Sequence, residues 1–430
     1  MAYQLIEHTI APGIGFHAVS DDRFKTARLS INFCIPLDAG RAAEYAVVAP
    51  LLRRKCEEYP DFTALNQKLC EMYGASLYTD VKKIGGWQVV SLAIRSIDNR
   101  FVFAEEDLTG ACAQLLCSLA TKPYFVNGCF EDSEVEIERQ NLIDMIESKI
   151  NDKRYYAIER CEELMYVNEP YGIDEYGTVE TARSITPQIA TQAYRDLMKH
   201  ARIEVMFTGH GDCKKIEAVF DKALSSLERE PAGQEEIVRI AGAQKVLEHV
   251  ERMDIVQSKL VMGFRTGTFA DSPDLSAMRL MTAIFGGTAF SRLFVHVREE
   301  KSLCYYCAAR FDRIKGVMLV DSGVEDKNRE VAQQEILHQL EIMREGGFTD
   351  GEFEAAKLSL KNAFSTITDS PEGLESWYLI QVIAGTYTSP EAESRAISEV
   401  TKEQVASAAK KVTLDTVYFL TGKEDGEVLA

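Results

Sequence analysis

The sequence predicts an α+β protein of two homologous domains, each a mainly antiparallel sheet packed against a layer of helices. The main support is a repeated segment in which a threonine-capped helix leads into a buried strand that stops at Thr-Gly. The first copy extends from Thr181 to Gly209, and the second from Ile397 to Gly422, with the helix caps at Thr186 and Thr401. The two threonines lie 215 positions apart and the two glycines 213, so the repeat is about half of the chain.

A repeated hairpin is the second observation. Residues 76–94 predict two long strands joined at a Gly-Gly turn, and residues 303–320 predict a similar pair joined at Lys-Gly. Each hairpin follows a helix and precedes a longer helical region. We therefore expect the order strand, helix, hairpin, helices, strand to occur twice.

The domains are predicted at residues 1–230 and 240–430, joined by the polar, turn-rich stretch 229–242. Periodicity assigns the remaining elements. The predicted strands are 15–19, 27–35 and 255–264, and a further strand begins at Val246. The predicted helices are 43–57 with a break at Pro50, 61–73, 99–118, 132–150, 153–167, 274–285, 291–300, 328–346 and 350–367.

The composition disfavours several classes of function. A formal net charge of −19 disfavours nucleic acid as a partner, because binding phosphates requires a concentrated basic surface. No apolar run approaches the roughly 18 to 20 residues of a membrane span, and the first residues lack a secretory pattern. The ten cysteines lack the dense spacing of a secreted disulfide framework. We therefore expect a cytoplasmic protein with reduced thiols and no contact with membranes.

Few residues suggest metal or redox chemistry. None of the seven histidines has a His or Glu partner at the spacing of a zinc pair. Cys304 and Cys307 have the spacing of a redox or metal half-site, but they fall in strand-like sequence. Successive strand residues point to opposite faces, so residues three apart should face apart. We interpret the two cysteines as separate strand thiols.

An arginine and a tyrosine form the richest candidate site. Arg298 lies near a predicted helix end, and Tyr305 lies at the start of the next strand. A guanidinium and a phenol that converge on one place could bind a peptide carbonyl or stabilise an oxyanion. By composition alone, a solvated helix end is the commoner explanation.

At these residues the chain resembles the pitrilysin and insulysin (insulinase-like) zinc metallopeptidases over essentially its whole length. Residues 286–287 and 291–294, with Arg298 and Tyr305, resemble the signature of that family's second half. In the family, an Arg and a Tyr seven positions later lie beside the scissile carbonyl of a peptide bound at zinc. The resemblance implies this role for Arg298 and Tyr305, and it implies that each half has a LuxS/MPP-like metallopeptidase fold.

The resemblance also implies that the zinc site is degenerate. The inverted motif His-x-x-Glu-His would fall at residues 46–50, where Ala46, Ala49 and Pro50 replace the two histidines and the glutamate. The third ligand would fall near Met145. Such a set could neither hold zinc nor activate a bound water.

The resemblance therefore implies a non-catalytic subunit, without a cofactor of its own, that pairs with a homologous zinc-bearing peptidase chain. The partner would contribute zinc, its ligands and the general base, and this chain would contribute Arg298, Tyr305 and half of a chamber for peptides. Homodimerisation in the absence of the partner is left open. Three other functions are also left open: a structural protein of the same fold, a factor that binds peptides by strand addition, and a hydrolase that uses other residues.

Overall fold

Two sheets with the same strand order organise the chain, and the computed structural model describes residues 5–103, 106–233 and 237–423. The strands are β1 (Ile6–Ala11), β2 (Ile14–Ser20), β3 (Thr26–Pro36), β4 (Ser76–Ile84), β5 (Trp87–Ile97), β6 (Arg202–Gly209), β7 (Leu247–Arg252), β8 (Ser258–Arg265), β9 (Cys304–Asp312), β10 (Val317–Val324) and β11 (Thr413–Thr421).

The helices alternate with these strands along the chain. They are α1 (Ala42–Ala46), α2 (Val48–Leu52), α3 (Phe62–Glu71), α4 (Leu108–Thr121), α5 (Asp132–Ser148), α6 (Lys153–Met165), α7 (Val179–Arg183), α8 (Pro187–His200), α9 (Cys213–Leu224), α10 (Leu275–Thr282), α11 (Arg329–Glu345), α12 (Asp350–Ile367), α13 (Pro371–Ala384), α14 (Pro390–Glu399) and α15 (Lys402–Lys411). Two further segments, Ala283–Gly287 and Leu293–Glu300, are π-helical.

The strand orders confirm the predicted duplication and the α+β class. The first sheet has the order β1-β2-β6-β3-β5-β4, and the second has the order β7-β11-β8-β10-β9. Apart from β1, each strand has a counterpart in the other sheet. The pairs β2–β6 and β7–β11 are parallel, and the remaining neighbours are antiparallel. Each half therefore builds the same sheet.

The first unit comprises Met1–Glu147, Ile173–Glu236 and Thr366–Ser389. Alternate residues of β3 face opposite sides of its sheet. Leu29 and Ile31 pack into a large apolar core with helices such as α4 and α8, whereas Arg28 and Ser30 face α13. This sheet is therefore covered on one face by α13, a helix from the second half of the sequence.

The second unit comprises Ser148–Gly172, Ile237–Ser365 and Pro390–Ala430. Its sheet packs against α6, a helix from the first half of the sequence. Cys161 and Met165 of α6 share a buried apolar cluster with Val261 and Tyr418. A Cβ on Gly263 would lie 2.2 Å from the Met165 sulfur, so this glycine permits the close approach of α6 to β8. Each unit thus takes one helix from the other predicted domain.

Two predicted helices differ from the structure. The helix predicted at 99–118 is a 3-10 turn at Asn99–Phe101 followed by α4, which begins only after Asp107, whose carboxylate accepts the Gly110 N–H at 3.0 Å. Phe103, assigned to the apolar face of that helix, is 98% exposed, and residues 104–105 lie outside the described residues. The cap at Asp107, rather than apolar periodicity, determines where the helix begins.

The helix predicted at 43–57 is two short helices, α1 and α2, that end at Leu52. The break falls at Val47 rather than at Pro50. Pro50 lies in the first turn of α2, where a backbone N–H would have no helical partner, so the missing N–H costs no hydrogen bond. In a continuous helix, the same residue could not have donated to the Ala46 carbonyl. Within the described ranges, no helix is both long and apolar enough to span a membrane.

Candidate functional site

Arg298 and Tyr305 lie on either side of one tight reversal of the chain. Arg298 is in the π-helical segment Leu293–Glu300, which packs against β9, and Tyr305 is the second residue of β9. Between them, Ser302 has a φ of 51°, a left-handed conformation that non-glycine residues seldom adopt. The Leu303 N–H donates to the Val297 carbonyl at 3.0 Å and closes the reversal. π-Helical turns are rare and are frequent at functional sites.

The two side chains have separate partners in this reversal. The Arg298 guanidinium lies 4.5 Å from the centre of the Phe294 ring and pairs with Glu299 at 3.1 Å. Its side chain is 37% exposed, and Tyr305 is 59% exposed. Hydrogen bonds from Lys327 and, to a smaller extent, from the Tyr305 hydroxyl lower the pKa of the Glu325 carboxyl. Both side chains are therefore available to a ligand, and a substrate role for them stays a prediction.

Strand β9 is the edge of its sheet. Within the part of the chain that the structure describes, it pairs with β10 alone. Tyr306 lies opposite Gly323 and Cys304 opposite Val324, so Tyr305 is an extra residue in a β-bulge. Bulges bend a strand and re-aim a side chain, and they are common beside binding sites. Tyr305 thus projects from an irregular point on an open sheet edge.

The positions at which the family resemblance places the zinc motif do not fit a metal ion. Ala46 and Ala49 are buried in the apolar core, and the helix that would carry both is interrupted at Val47. Pro50 offers no side-chain donor, and Met145 offers only a thioether on the half-exposed surface of α5. Among the described residues, no group of three or more His, Cys, Asp or Glu side chains could hold a metal.

Ion pairs connect the end of α2 with α5, the two regions that a metal would have bridged. The guanidinium of Arg54 pairs with Glu138 at 2.8 Å and also with Glu134, and Lys55 pairs with Glu131. Glu138 is buried. Sequence reasoning missed this network. The sequence signal for this network was a pair of adjacent basic residues together with glutamates spaced three and four residues apart. Such spacing places side chains on one side of a helix.

The structure corrects the interpretation of Cys304 and Cys307. Cys307 lies opposite Ser322 and Cys304 opposite Val324, and these two residues of β10 point to the same face. The bulge at Tyr305 therefore returns both thiols to one face, where they are hydrogen-bonded to each other. This hydrogen bond and, more weakly, the charge of Arg298 lower the pKa of Cys304, whereas the same bond and burial raise the pKa of Cys307.

Comparisons with known proteins define the class. Residues 184–360 match the family model described as the Peptidase M16 inactive domain. The fold and the degenerate motif agree with this match, and the resemblance to insulinase-like peptidases is confirmed. The chain is similar to the M16 zinc metallopeptidases, and its sequence lacks their inverted zinc motif.

Individual relatives give the same picture. The chain is 28% identical over 412 residues to the probable inactive metalloprotease YmfF of Bacillus subtilis (strain 168), a match that covers 96% of both chains. A solved structure of a conserved protein from Enterococcus faecalis V583 has a TM-score of 0.90 at 24% identity and covers 98% of this chain and 100% of that one. The peptidase M16 inactive domain from Pseudomonas fluorescens has a TM-score of 0.79 at 17% identity, covering 99% and 100%. The two structures share the fold.

Proposed function

We propose that this chain is the non-catalytic, substrate-positioning subunit of a heterodimeric zinc metallopeptidase that cleaves peptides in an enclosed chamber in the cytoplasm. A homologous partner chain supplies zinc, its ligands and the general base. The observation that carries the proposal is the pair Arg298 and Tyr305, both exposed beside an open sheet edge, in a chain whose own metal positions are apolar. The description of YmfF as a probable inactive metalloprotease supports a chain that is not catalytic by itself.

The two side chains suit a developing negative charge on a peptide carbonyl. A guanidinium and a phenol donate hydrogen bonds, and donors aimed at an oxyanion are among the largest contributors to acyl-transfer catalysis. A cation–π contact with the Phe294 ring helps to hold the Arg298 guanidinium in place. The bulge directs Tyr305 away from the regular alternation of β9. Arg298 and Tyr305 thus act on a peptide whose cleavage the partner's groups carry out.

The open edge of β9 supports an extended peptide as the ligand. Its outer N–H and C=O groups have no strand partner within the described chain, and an added strand would satisfy them. A peptide on this edge would pass next to Tyr305. Binding of this kind depends on the backbone, which suits a subunit that handles many sequences.

Reconstitution tests the proposal. The chain, its closest zinc-motif relative from the same genome, and the two together are assayed for bound zinc and for cleavage of a quenched fluorescent peptide. We expect full activity only in the pair, with zinc bound to the partner chain. Arg298→Ala and Tyr305→Phe should each lower kcat about 100-fold, with smaller changes in KM, if the two groups stabilise the transition state.

Matched substitutions control for the loss of a charge and of a surface hydroxyl. Arg239, which pairs with Asp271, is 38% exposed, and Tyr155 is 57% exposed; both belong to the same unit as Arg298 and Tyr305. Arg239→Ala and Tyr155→Phe should leave kcat unchanged. If the two chains fail to associate, or if the pair is no more active than the zinc-bearing chain alone, the proposal is wrong.

The same open edge favours a second candidate function, a peptide-binding protein without a role in proteolysis. In that case the isolated chain binds a fluorescein-labelled unfolded peptide, and N-methylation of alternate peptide nitrogens abolishes the binding. Partner-dependent cleavage would then be absent. A chain that neither binds the peptide nor supports cleavage would be a structural protein of this fold.

A further inference from the structure

The bulge in β9 places two thiols of unequal exposure together. Cys304 is half-buried at the start of the strand, and Cys307 is fully buried on the same face. Both thiols also interact with Ser322 on the neighbouring strand. One thiol of the pair is therefore open to small reagents from solvent, and the second lies behind it within reach of the first.

The surroundings of the pair favour the thiolate on the accessible cysteine. The hydrogen bond from Cys307, together with the Ser322 hydroxyl and the positive charge of Arg298, lowers the pKa of Cys304 despite partial burial. A thiolate, rather than a thiol, is the form that peroxides oxidise. The thiols of Cys112 and Cys117 provide a contrast within the chain, because burial raises their pKa to about 11 and about 12.

We infer that Cys304 and Cys307 form a thiol–disulfide switch, oxidised by hydroperoxides and reduced by dithiols, that changes the position of Tyr305. The effect on peptide cleavage rests on the proposed function, but the thiol chemistry does not. A metal half-site is a poorer explanation of the pair, because no third His, Cys, Asp or Glu completes a ligand group with these cysteines within the described residues.

The oxidation proceeds in two balanced steps. The Cys304 thiolate attacks one peroxide oxygen, so that an S–O bond forms, the O–O bond breaks, and the other oxygen leaves as water or an alcohol after taking up a proton. The sulfur of Cys307 then attacks the sulfenic acid of Cys304. An S–S bond forms, the S–O bond breaks, and the hydroxide that leaves takes the Cys307 proton as water. The two thiols lose two electrons, which the peroxide gains, and a dithiol reverses the change by exchange.

The bulge couples this chemistry to Tyr305. Tyr305 is the extra residue between Cys304 and Tyr306, so the geometry of the bulge determines the direction of its side chain. A disulfide requires Cα atoms about 4.4 to 6.8 Å apart and a torsion near 90° about the S–S bond. Meeting both requirements adjusts the backbone between the cysteines, where Tyr305 lies.

Thiol mapping of the full chain tests the switch. The reduced protein is treated with one equivalent of hydrogen peroxide, and peptide mass mapping locates the product. We expect a 304–307 disulfide in the wild type, a sulfenic acid that dimedone traps at Cys304 in Cys307→Ser, and no disulfide in Cys304→Ser. Cys70→Ser removes an exposed cysteine outside the pair and should behave as the wild type. Oxidation of Cys304 without a disulfide in the wild type would overturn the inference.

Fluorine NMR of a single 3-fluorotyrosine at position 305 tests the coupling without a partner chain. Its resonance should shift on oxidation and return after dithiothreitol, and should not shift in the Cys304→Ser/Cys307→Ser variant. A disulfide that leaves the resonance unchanged would disprove the control of Tyr305. In an active reconstituted pair, oxidation should lower kcat at least tenfold and reversibly. If the pair is inactive but the disulfide forms and the resonance shifts, only the proposed function fails.

Discussion

The helices that the two units take from opposite halves of the chain are held by different arrangements of charge. In the second unit, Arg265 is fully buried, donates to the Met165 carbonyl at 2.7 Å and pairs with Asp415 at 2.9 Å. Glu169, just beyond α6, also pairs with Arg265 and with the buried Lys315. Two cations and two carboxylates thus anchor the end of this helix.

In the first unit, α13 depends on a smaller set of polar contacts. Arg28 of β3 pairs with the buried Glu375 at 2.8 Å, and Arg202 donates to the Val382 carbonyl at 3.1 Å. A second, more exposed ion pair joins Arg95 of β5 to Glu372 at 3.4 Å, so two ion pairs and one charged hydrogen bond take the place of the four-membered cluster. Equivalent positions in a duplicated fold therefore tolerate different sets of polar contacts, provided that each buried charge has a partner.

Two carboxyl groups at these helices have pKa values shifted in opposite directions: Glu251 of β7 contacts α6, and Glu375 lies within α13. Burial alone would raise the pKa of Glu251, but hydrogen bonds from Tyr156 and Tyr418 on either side, with the charge of Arg160, lower it. Burial raises the pKa of Glu375, and Arg28 offsets this only in part. The comparison shows that the donors around Glu251 outweigh its burial, whereas Arg28, the Ser30 hydroxyl and Lys82 only partly offset the burial of Glu375.

Removal of Arg265 should have the largest effect on stability. Arg265→Met leaves Asp415 without its cation, while Glu169 keeps Lys315, and breaking such a buried pair costs about 3–5 kcal/mol. Urea unfolding followed by circular dichroism measures the change. Arg239→Met, at a partly exposed ion pair, should change stability little. Equal losses for the two variants would show that the buried cluster contributes no more than a surface pair.

Removal of Arg28 should cost less, about 1–3 kcal/mol, because Glu375 already has a raised pKa and can become neutral when its partner is lost. The same unfolding experiment at pH 7 and pH 5 measures the loss. The cost of Arg28→Met should be smaller at pH 5, where the isolated carboxyl is more readily protonated. A cost as large as that of Arg265→Met at both pH values would contradict the difference between the units.

Glu251→Gln should destabilise the protein by about 1–2 kcal/mol at neutral pH, since hydrogen bonds to a charged acceptor are replaced by weaker ones. The pKa of Glu251 is lowered in the folded state, so its contribution is present above the unfolded value and is lost as the pH falls through the folded value. The difference between wild type and variant should therefore shrink below about pH 4.5. Unfolding curves from pH 3 to pH 7 would reveal a constant difference if this account is wrong.

Glu375→Gln should show the smallest effect and the opposite trend. The pKa of Glu375 is raised in the folded state, so the wild type loses stability relative to the variant as the pH rises from about 4.5 through that value. The same pH series should therefore show the variant gaining relative stability towards pH 7. Parallel trends for the two glutamine variants would remove the distinction between the helices.

Much of the fold could be predicted because local signals and the duplication agree. The helix caps at Thr186 and Thr401, and the strands that end at Gly209 and in the Thr421-Gly422 pair, occur as predicted. The hairpins β4–β5 and β9–β10 also occur where the repeat placed them. Local hydrogen bonds and side-chain periodicity produce such features, and both can be read from neighbouring residues.

The errors arose where one residue overrides a regular pattern. Apolar spacing extended α4 back to Asn99, although Asp107 provides the cap. Strict alternation along a strand predicted that Cys304 and Cys307 face opposite sides of the sheet. A single extra residue in β9 reverses the side to which the preceding residues of the strand point. A bulge has little sequence signal because it depends on how the neighbouring strand pairs.

The sequence by itself determined the duplicated α+β fold, the absence of zinc-binding side chains at Ala46, Ala49 and Pro50, where the resemblance places the motif, and the presence of Arg298 and Tyr305 at family-like spacing. These follow from residue identity and local periodicity. Only the tertiary structure decided which sheet each crossing helix covers, which buried charges hold it, and that two cysteines share one face. Those features depend on contacts between residues that are distant in the chain and on strand register, because burial and pairing are properties of the assembled fold.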